Sequence, residues 1–448
     1  MTERFLIDEQ QLIEYIVGQR WFGTKTREVS RANVLDVARL RSTPPELFLL
    51  LVEIRFPEGT HDLYQVPVGV DEDGEWYDAL GDPSLTRELV HLIRSGATEQ
   101  ARDGMLDFRS VPGFAALGRE LQQARTISTE QSNTSIVFDD EMILKAYRRL
   151  EAGVNPELEM LRFLTEHGFR NIAALGGWYA YSGRPLDATL GIVQQYLAGA
   201  LDGWELALDE LASAPERFLG RLRRLGEVTG TMHSVLGSDS SDPAFCPEET
   251  SSESLGLLTA TVDEEIERVF LELGGEEALA PIAGRGEEVR EQLRNLSHFG
   301  TVGRVIRHHG DFHLGQTLWW SDDWAIIDFE GEPARSLTER RRKRSPMRDV
   351  AGMLRSFAYA ASAVEILRGT PAPPGWEERA RAEFMEGYLA TVDQSLLPPG
   401  RSAIDRLVCI FELEKSVYEL RYELNNRPDW VGIPVAGILR MLDATAPA

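Results

Sequence analysis

His309-Gly310-Asp311-Phe312-His313-Leu314-Gly315-Gln316, with Ile327-Asp328-Phe329-Glu330 shortly after it, holds the residue types that phosphoryl transfer needs. That reaction asks little covalent help of a protein; it requires an oriented nucleophile and neutralised phosphate charge. Asp311 is a carboxylate able to accept the proton of an acceptor hydroxyl. Asp328 is one able to hold Mg2+ across the β- and γ-phosphates of ATP. Gln316 offers an uncharged oxygen to complete that metal shell, and His313 is assigned to the acceptor. A strand–turn–strand segment from Gln316 to Ile327, turning at Ser321-Asp322-Asp323, is expected to return the chain so that both carboxylates face one cleft. Either fragment alone is compatible with an ordinary turn or strand end; their order and spacing together carry the reading.

A second set of polar residues lies upstream. Lys145 follows Met142-Ile143-Leu144 on an otherwise buried strand, where an ammonium costs several kcal/mol unless an anion meets it. ATP phosphates and a carboxylate from the next helix would meet it, with Glu159 the first choice and Glu157 the second. The loop Glu130-Gln131-Ser132-Asn133-Thr134-Ser135 precedes that strand pair and is expected to cover phosphates with backbone N–H groups and hydroxyls. It contains no glycine, so it is neither a G-x-G-x-x-G loop nor a Walker A. Gln194-Gln195-Tyr196-Leu197 ends the last strand before a helical half, where Gln195 and Leu197 are candidates to meet adenine through backbone groups.

The stretch Phe411 to Arg427 is amphipathic at helical period, with Leu413, Val417, Leu420 and Leu424 along one face. Lys415, Glu419, Tyr422 and Asn426 line the other, flanked by Tyr418 and Glu412, with Arg427 at the end. Aromatic faces beside charged and amide groups suit a sugar acceptor. The plainer alternative is a solvated stripe with a Lys415–Glu419 pair, worth about 0.3 kcal/mol. Arg340-Arg341-Arg342-Lys343-Arg344 is the one basic run; it reads as an exposed, mobile loop, with phosphate steering near the cleft as the other reading. Asp349 fits a structural partner of the catalytic loop better than a catalytic group.

These residues need elements to hold them. Asn133 to Tyr147 reads as two alternating strands joined at Asp139-Asp140, and a periodic helix follows Pro156. Helix precedes them at about Glu9 to Gln19, beside apolar runs such as Leu47 to Val52 that have strand length. After Gly203 helical periodicity dominates, interrupted only by the 316–327 hairpin. A strand-rich half followed by a helix-rich half is the pattern of a two-lobed α+β kinase.

The 448 residues carry a formal net charge of −25, which repels phosphate backbones and anionic lipid; no nucleic-acid or membrane partner is expected. Cys246 and Cys409 stand far apart and suggest neither a disulfide framework nor a zinc site. MTERFLIDEQ lacks the basic and apolar regions of a signal peptide, so a soluble cytoplasmic protein is expected.

The stretches HGDFHLGQ, DFEGEPARSLTERRRKRSPMRDVAGMLRSFAYAA and FELEKSVYELRYELNNRPDW resemble the bacterial maltokinases, of the aminoglycoside-phosphotransferase-like branch of the protein-kinase-like fold. QRWFGTKTRE and SNTSIVFDDEMILKAYRRLEAGVNPELEM extend the resemblance over nearly the whole chain. It implies an α/β cap subdomain at residues 1–90, a strand-rich nucleotide lobe with its linker at 91–200, and a mostly helical lobe with catalytic loop and sugar site at 201–448. It also implies ATP and maltose giving ADP and maltose 1-phosphate with Mg2+, feeding α-glucan synthesis. The roles implied are Asp311 as base, Gln316 and Asp328 on the metal, Lys145 with Glu159 on the phosphates, and the 411–427 helix at the sugar. Association with a separate trehalose synthase chain is a further implication.

Two other readings stand beside it. An aminoglycoside or amino-sugar kinase would share the fold; Glu412 and Glu419 balanced by Lys415 and Arg427 suit a neutral sugar better. A catalytically silent nucleotide-binding scaffold predicts a broken set, whereas Asp311, Gln316, Asp328 and Lys145 are all present.

Overall fold

Alternating apolar residues make strands of Arg31–Arg41, Glu46–Arg55 and His61–Val70, which pair antiparallel in that order. The computed structural model describes residues 7–23, 25, 27–127, 133–250, 252–272, 277–296, 302–333 and 335–443. The chain divides into two compact units, residues 1–165 with 172–199, and residues 166–171 with 200–448.

In the first unit, helix Glu9–Gly18 is capped by Asp8, whose carboxylate accepts from the N–H groups of Gln10 and Gln11. It buries Leu12 and Ile16 with Trp21, Phe22, Phe48 and Val52 against the first sheet. A second antiparallel sheet runs Thr98–Gln100, Gly104–Ser110, Leu175–Gly183, Asp187–Gln195, Met142–Tyr147, Asn133–Phe138, Ala124–Ile127. Its expected hairpin turns at Asp139 and Asp140, with φ of 50° and 54°. Such left-handed pairs match the twist of the flanking strands, and Asp tolerates them.

The two sheets are pinned by a buried amide. Gln65, on His61–Val70, donates through Nε2 to the carbonyls of Tyr147 and Leu190 and accepts from the Tyr179 hydroxyl at 3.1 Å. Arg149–Leu150 adds itself to the first sheet directly after the strand that carries Lys145. That strand is therefore held on both sides.

The second unit is built of helices. Pro215–Leu236 and Trp376–Thr391 approach so closely that a Cβ at Gly226 would lie 2.0 Å from the Phe384 carbonyl oxygen. One at Gly387 would lie 2.0 Å from the carbonyl of Arg223. Met347–Arg368 is long and apolar enough to cross a membrane by length and composition, yet 61% of its apolar window is buried, as in a core helix. Arg401–Asn426 lays Leu413, Val417 and Leu420 against a cluster from Ser252–Glu272, Gly286–Leu296 and Gly432–Asp443. The hairpin expected between Gln316 and Ile327 is present as Thr317–Trp320 and Asp323–Ile326, with Ser321 and Asp322 at positive φ.

Candidate active site

The catalytic-loop segment is fixed by a buried carboxylate. Asp349, in the first turn of Met347–Arg368, accepts from the backbone N–H of His309 at 2.7 Å and of Gly310 at 2.9 Å. His233, from Pro215–Leu236, meets the same carboxylate at 3.1 Å and the Tyr388 hydroxyl with its other ring nitrogen. Gly310 adopts φ of 90°, which lets the chain turn over Asp349 into Asp311. Asp349 is thus a positioning residue, in the role that the sequence suggested.

His309 links this loop to the second carboxylate. Its Nε2 lies 2.9 Å from the Ile327 carbonyl, and its Nδ1 accepts the Asp311 N–H at 3.4 Å. The ring packs between Phe312 and Phe329. One imidazole therefore sets the backbone before Asp311 against the backbone before Asp328. Asp328 has φ of 63°, a left-handed conformation that few side chains adopt. Gln316 donates through Nε2 to Asp328 Oδ2 at 3.3 Å, so the two expected metal ligands are neighbours.

A pocket of about 60 Å3 opens beside the candidate base, lined by Asp311, Glu332, Arg335, Arg348, Phe411, Glu414, Lys415 and Tyr418 among others. Lys415 Nζ stands 3.3 Å from Asp311 Oδ1. Burial pulls the ammonium down, but Asp311, Glu419 and Glu332 outweigh it and raise its pKa. His313 Nδ1 accepts from the Gly315 N–H at 3.1 Å, leaving Nε2 toward Asp311 at 3.9 Å. Burial lowers the His313 pKa against the pull of Asp311, keeping the ring neutral.

The pocket wall differs from the one expected. Phe411, Glu414, Lys415 and Tyr418 form a stripe at i, i+3, i+4 and i+7, the spacing of one helix face. Glu412 and Glu419 leave the helix to the side. Glu412 receives both guanidinium nitrogens of Arg381 at 2.7 Å, and Glu419 is held by Arg355 at 2.7 Å. A carboxylate buried in the bundle needs such a partner, so both residues are structural pairs rather than pocket wall. Arg427 pairs with Glu423 and packs over Trp430; Tyr422 is 45% exposed, and Asn426 caps back onto the Tyr422 carbonyl. None of the three lines this pocket. Glu332, Arg335, Arg348, Glu414 and Phe411 escaped the sequence reading; the heptad-like stripe through Lys415 was the signal available for two of them.

In the first unit, Lys145 is 8% exposed and pairs with Glu157 at 2.9 Å, while Tyr147 donates to the same carboxylate. Glu157 is the second of the two expected partners; the first, Glu159, lies buried in the same helical turn. Ser132 lies outside the described residues. Asn133 and Thr134 line a separate cavity with Trp21 and Arg148, and the Thr134 hydroxyl accepts from Arg148 Nε at 2.8 Å. Ser135 is fully buried and stands directly opposite Lys145 in the strand pair. The Gln195 N–H is taken by the Ala174 carbonyl, and Leu197 is buried.

Residues 15–82 match the family model described as the maltokinase N-terminal cap domain, and residues 123–332 that of the phosphotransferase enzyme family, APH. A glucosamine kinase of Streptacidiphilus jiangxiensis is 26% identical over 81% of this chain and 82% of its own. One of Mycolicibacterium smegmatis is 25% identical over 84% and 93%. Among solved structures, a glucosamine kinase in complex with glucosamine, ADP and inorganic phosphate superposes with a TM-score of 0.74, 20% identity, and 97% and 99% coverage. Another glucosamine kinase crystal form gives 0.76 at 21% identity, covering 96% and 99%. The fold is aminoglycoside-phosphotransferase and protein-kinase-like, with a sheet-bearing N-terminal cap and a helical C-terminal part. The two matches support a kinase of the APH-like family.

Proposed function

We propose, from the premise of an APH-family kinase, that this chain is an ATP-dependent sugar kinase that phosphorylates maltose to maltose 1-phosphate. The observation that carries the sugar-kinase reading is Asp311 at the floor of a pocket walled by Phe411, Glu414, Lys415 and Tyr418. Asp311 accepts the proton of the sugar hydroxyl as that oxygen attacks the γ-phosphorus and the bond to the β–γ bridging oxygen breaks, with ADP as the leaving group. Lys415 holds the carboxylate in place and offers donors to the attacking oxygen or the transferred group. Phe411 and Tyr418 supply faces for the ring of the sugar, while Glu414 and Arg348, paired at 2.8 Å, present hydrogen-bonding edges.

Asp328 and Gln316 would hold Mg2+ through a carboxylate oxygen and, with the side-chain amide turned so that its oxygen replaces the Nε2 now 3.3 Å from Asp328, an amide oxygen. When bound, Mg2+ neutralises the negative charge that builds between β- and γ-phosphates. Lys145, held by Glu157, is the cation for the phosphates of ATP. Adenine is assigned to backbone groups from Leu197 onward, since the N–H groups of Gln195 and Tyr196 are taken by protein carbonyls.

Maltose is favoured by the cap match at residues 15–82. Glucosamine is the second reading, favoured by relatives of that name over most of the chain and by Asp311, Glu332 and Glu414 around one pocket, which would suit an amine. ADP release, coupled to a dehydrogenase, with maltose, glucose, glucosamine and kanamycin as acceptors separates the two. Selective turnover of maltose is expected; selective turnover of glucosamine keeps the chemistry and replaces the acceptor, and turnover of none removes the kinase reading.

A further inference from the structure

The basic run at residues 340–344 is not a mobile loop. Arg344 exchanges two backbone hydrogen bonds with Ile306, at 2.9 and 3.0 Å, and Lys343 Nζ is tied to the Pro243 carbonyl and to Glu248. This anchoring aims Arg344 into a cavity of about 20 Å3 that also receives Arg335, Arg340 and Arg348, with His308 at its back. Four guanidiniums converge there in a chain whose net charge is −25.

Two carboxylates, Glu332 and Glu339, line the same cavity. Glu332 takes Arg335 at 2.5 Å. Glu339 accepts from the Ser336 N–H and hydroxyl in a capping box. Arg348 is spent on Glu414 through both nitrogens. Arg344 makes no side-chain hydrogen bond or ion pair among the described residues, and is only half exposed. The His308 Nδ1 is also buried without a partner. A desolvated guanidinium facing other guanidiniums is unfavourable unless an anion joins them.

We propose that this cavity is an oxyanion subsite for a phosphate group, with Arg344 as its ligand and the paired Arg335 and Arg348 adding only their charge around it. Burial and the charges of Arg348, Arg335 and Arg342 lower the Arg344 pKa, with Glu414 opposing, which is the field a bound dianion would relieve. The cavity is smaller than the pocket at Asp311 and is partly open to solvent. It shares Gly310, Glu332, Arg335 and Arg348 with the pocket at Asp311, so the phosphate of a sugar phosphate can enter it with the sugar left in that pocket. Free phosphate offers the same chemistry.

The test is calorimetric titration of the nucleotide-free protein, at low ionic strength, with inorganic phosphate, with glucose 1-phosphate and with glucose. Saturable phosphate binding is expected, weakened at least tenfold in Arg344→Gln and largely kept in Arg344→Lys. Glucose 1-phosphate binding more tightly than phosphate assigns the site to sugar phosphates; equal affinity assigns it to free phosphate. Equal binding by Arg344→Gln and the unaltered protein, or no saturable binding to the latter, overturns the proposal. If Arg344→Gln does not fold, phenylglyoxal modification of Arg344 in the unaltered protein, read by peptide mass, decides instead: phosphate must slow it, and lack of protection overturns the site. Neither measurement needs turnover, so failure here leaves the kinase reading untouched.

Discussion

Lys415 Nζ lies 3.3 Å from Asp311 Oδ1, so the candidate base is paired to a cation delivered by a helix remote in sequence. The pair lies within one compact unit, where Asp349 fixes the loop that carries Asp311 and the core face of Arg401–Asn426 fixes Lys415. The candidate base and the pocket wall beside it are therefore positioned by the same helical core.

Asp311→Asn removes the proton acceptor and keeps the shape. Turnover should fall by ~10²–10⁴-fold while the affinity for ATP stays nearly constant. Steady-state kinetics with a separate nucleotide titration checks this, and near-normal turnover would dismiss Asp311 as the base.

The two sides of one helix should respond differently. Glu419→Leu leaves Arg355 buried without its counter-charge and should cost about 3–5 kcal/mol of stability. Tyr418→Ala should instead raise KM for the sugar with a smaller loss of stability. Urea unfolding beside acceptor kinetics distinguishes them; a pure KM effect in Glu419→Leu would return that residue to the acceptor wall.

Asp328→Asn and Asp328→Ala separate charge from backbone. Both should abolish Mg2+-dependent nucleotide binding, because both remove the carboxylate. Only the alanine variant should also lose stability, by about 1 kcal/mol, since Asn accepts the left-handed backbone and Ala does not. Thermal unfolding of both variants, with nucleotide binding at two Mg2+ concentrations, reads the two effects apart.

Burial holds His308 down to about 3, from an ordinary value of 6.5. Between those limits the unfolded chain binds the proton and the folded chain does not, so stability is lost as pH falls below 6.5. The slope from this residue is about 1.4 kcal/mol per pH unit. Urea unfolding from pH 7 to pH 5 should show it, and His308→Phe should be flatter by that amount; an unchanged slope would refute the assignment.

Gly226→Ala should destabilise by about 1–3 kcal/mol or more, because its Cβ would meet the Phe384 carbonyl at 2.0 Å. The same helix pair holds His233 against Tyr388 and Asp349, so turnover of the folded variant should fall as well. A thermal midpoint equal to that of the unaltered protein would contradict this packing.

What could be read without coordinates was what is local in the chain. Asp311, Gln316 and Asp328 sit within one short stretch whose hairpin follows from its own turn residues, and Lys145 betrays itself as a charge in an apolar strand. The wall of the pocket beside Asp311 was half legible: Lys415 and Tyr418 line it, but Glu412 and Glu419 looked equally available. What removes those two are Arg381 and Arg355, on other helices, and helical period carries no record of a partner from another segment. Glu332, Arg335 and Arg348 escaped because the pocket they line is completed by Asp311 and by the helix Arg401–Asn426, both from other segments. That Glu157 pairs with Lys145 depends on how the helix after Pro156 sits on the strand, which the sequence does not record.

The handedness of Asp328 restricts how this position can drift. A residue held at φ of 63° admits Gly, Asn or Asp with little strain, and of these only Asp brings a full negative charge. Neighbouring loops can exchange side chains freely, yet here the backbone screens out most replacements before any question of metal chemistry arises. A lineage that abandoned catalysis would be expected to leave Asn or Gly at this place, a mark of lost function that could be read from sequence alone.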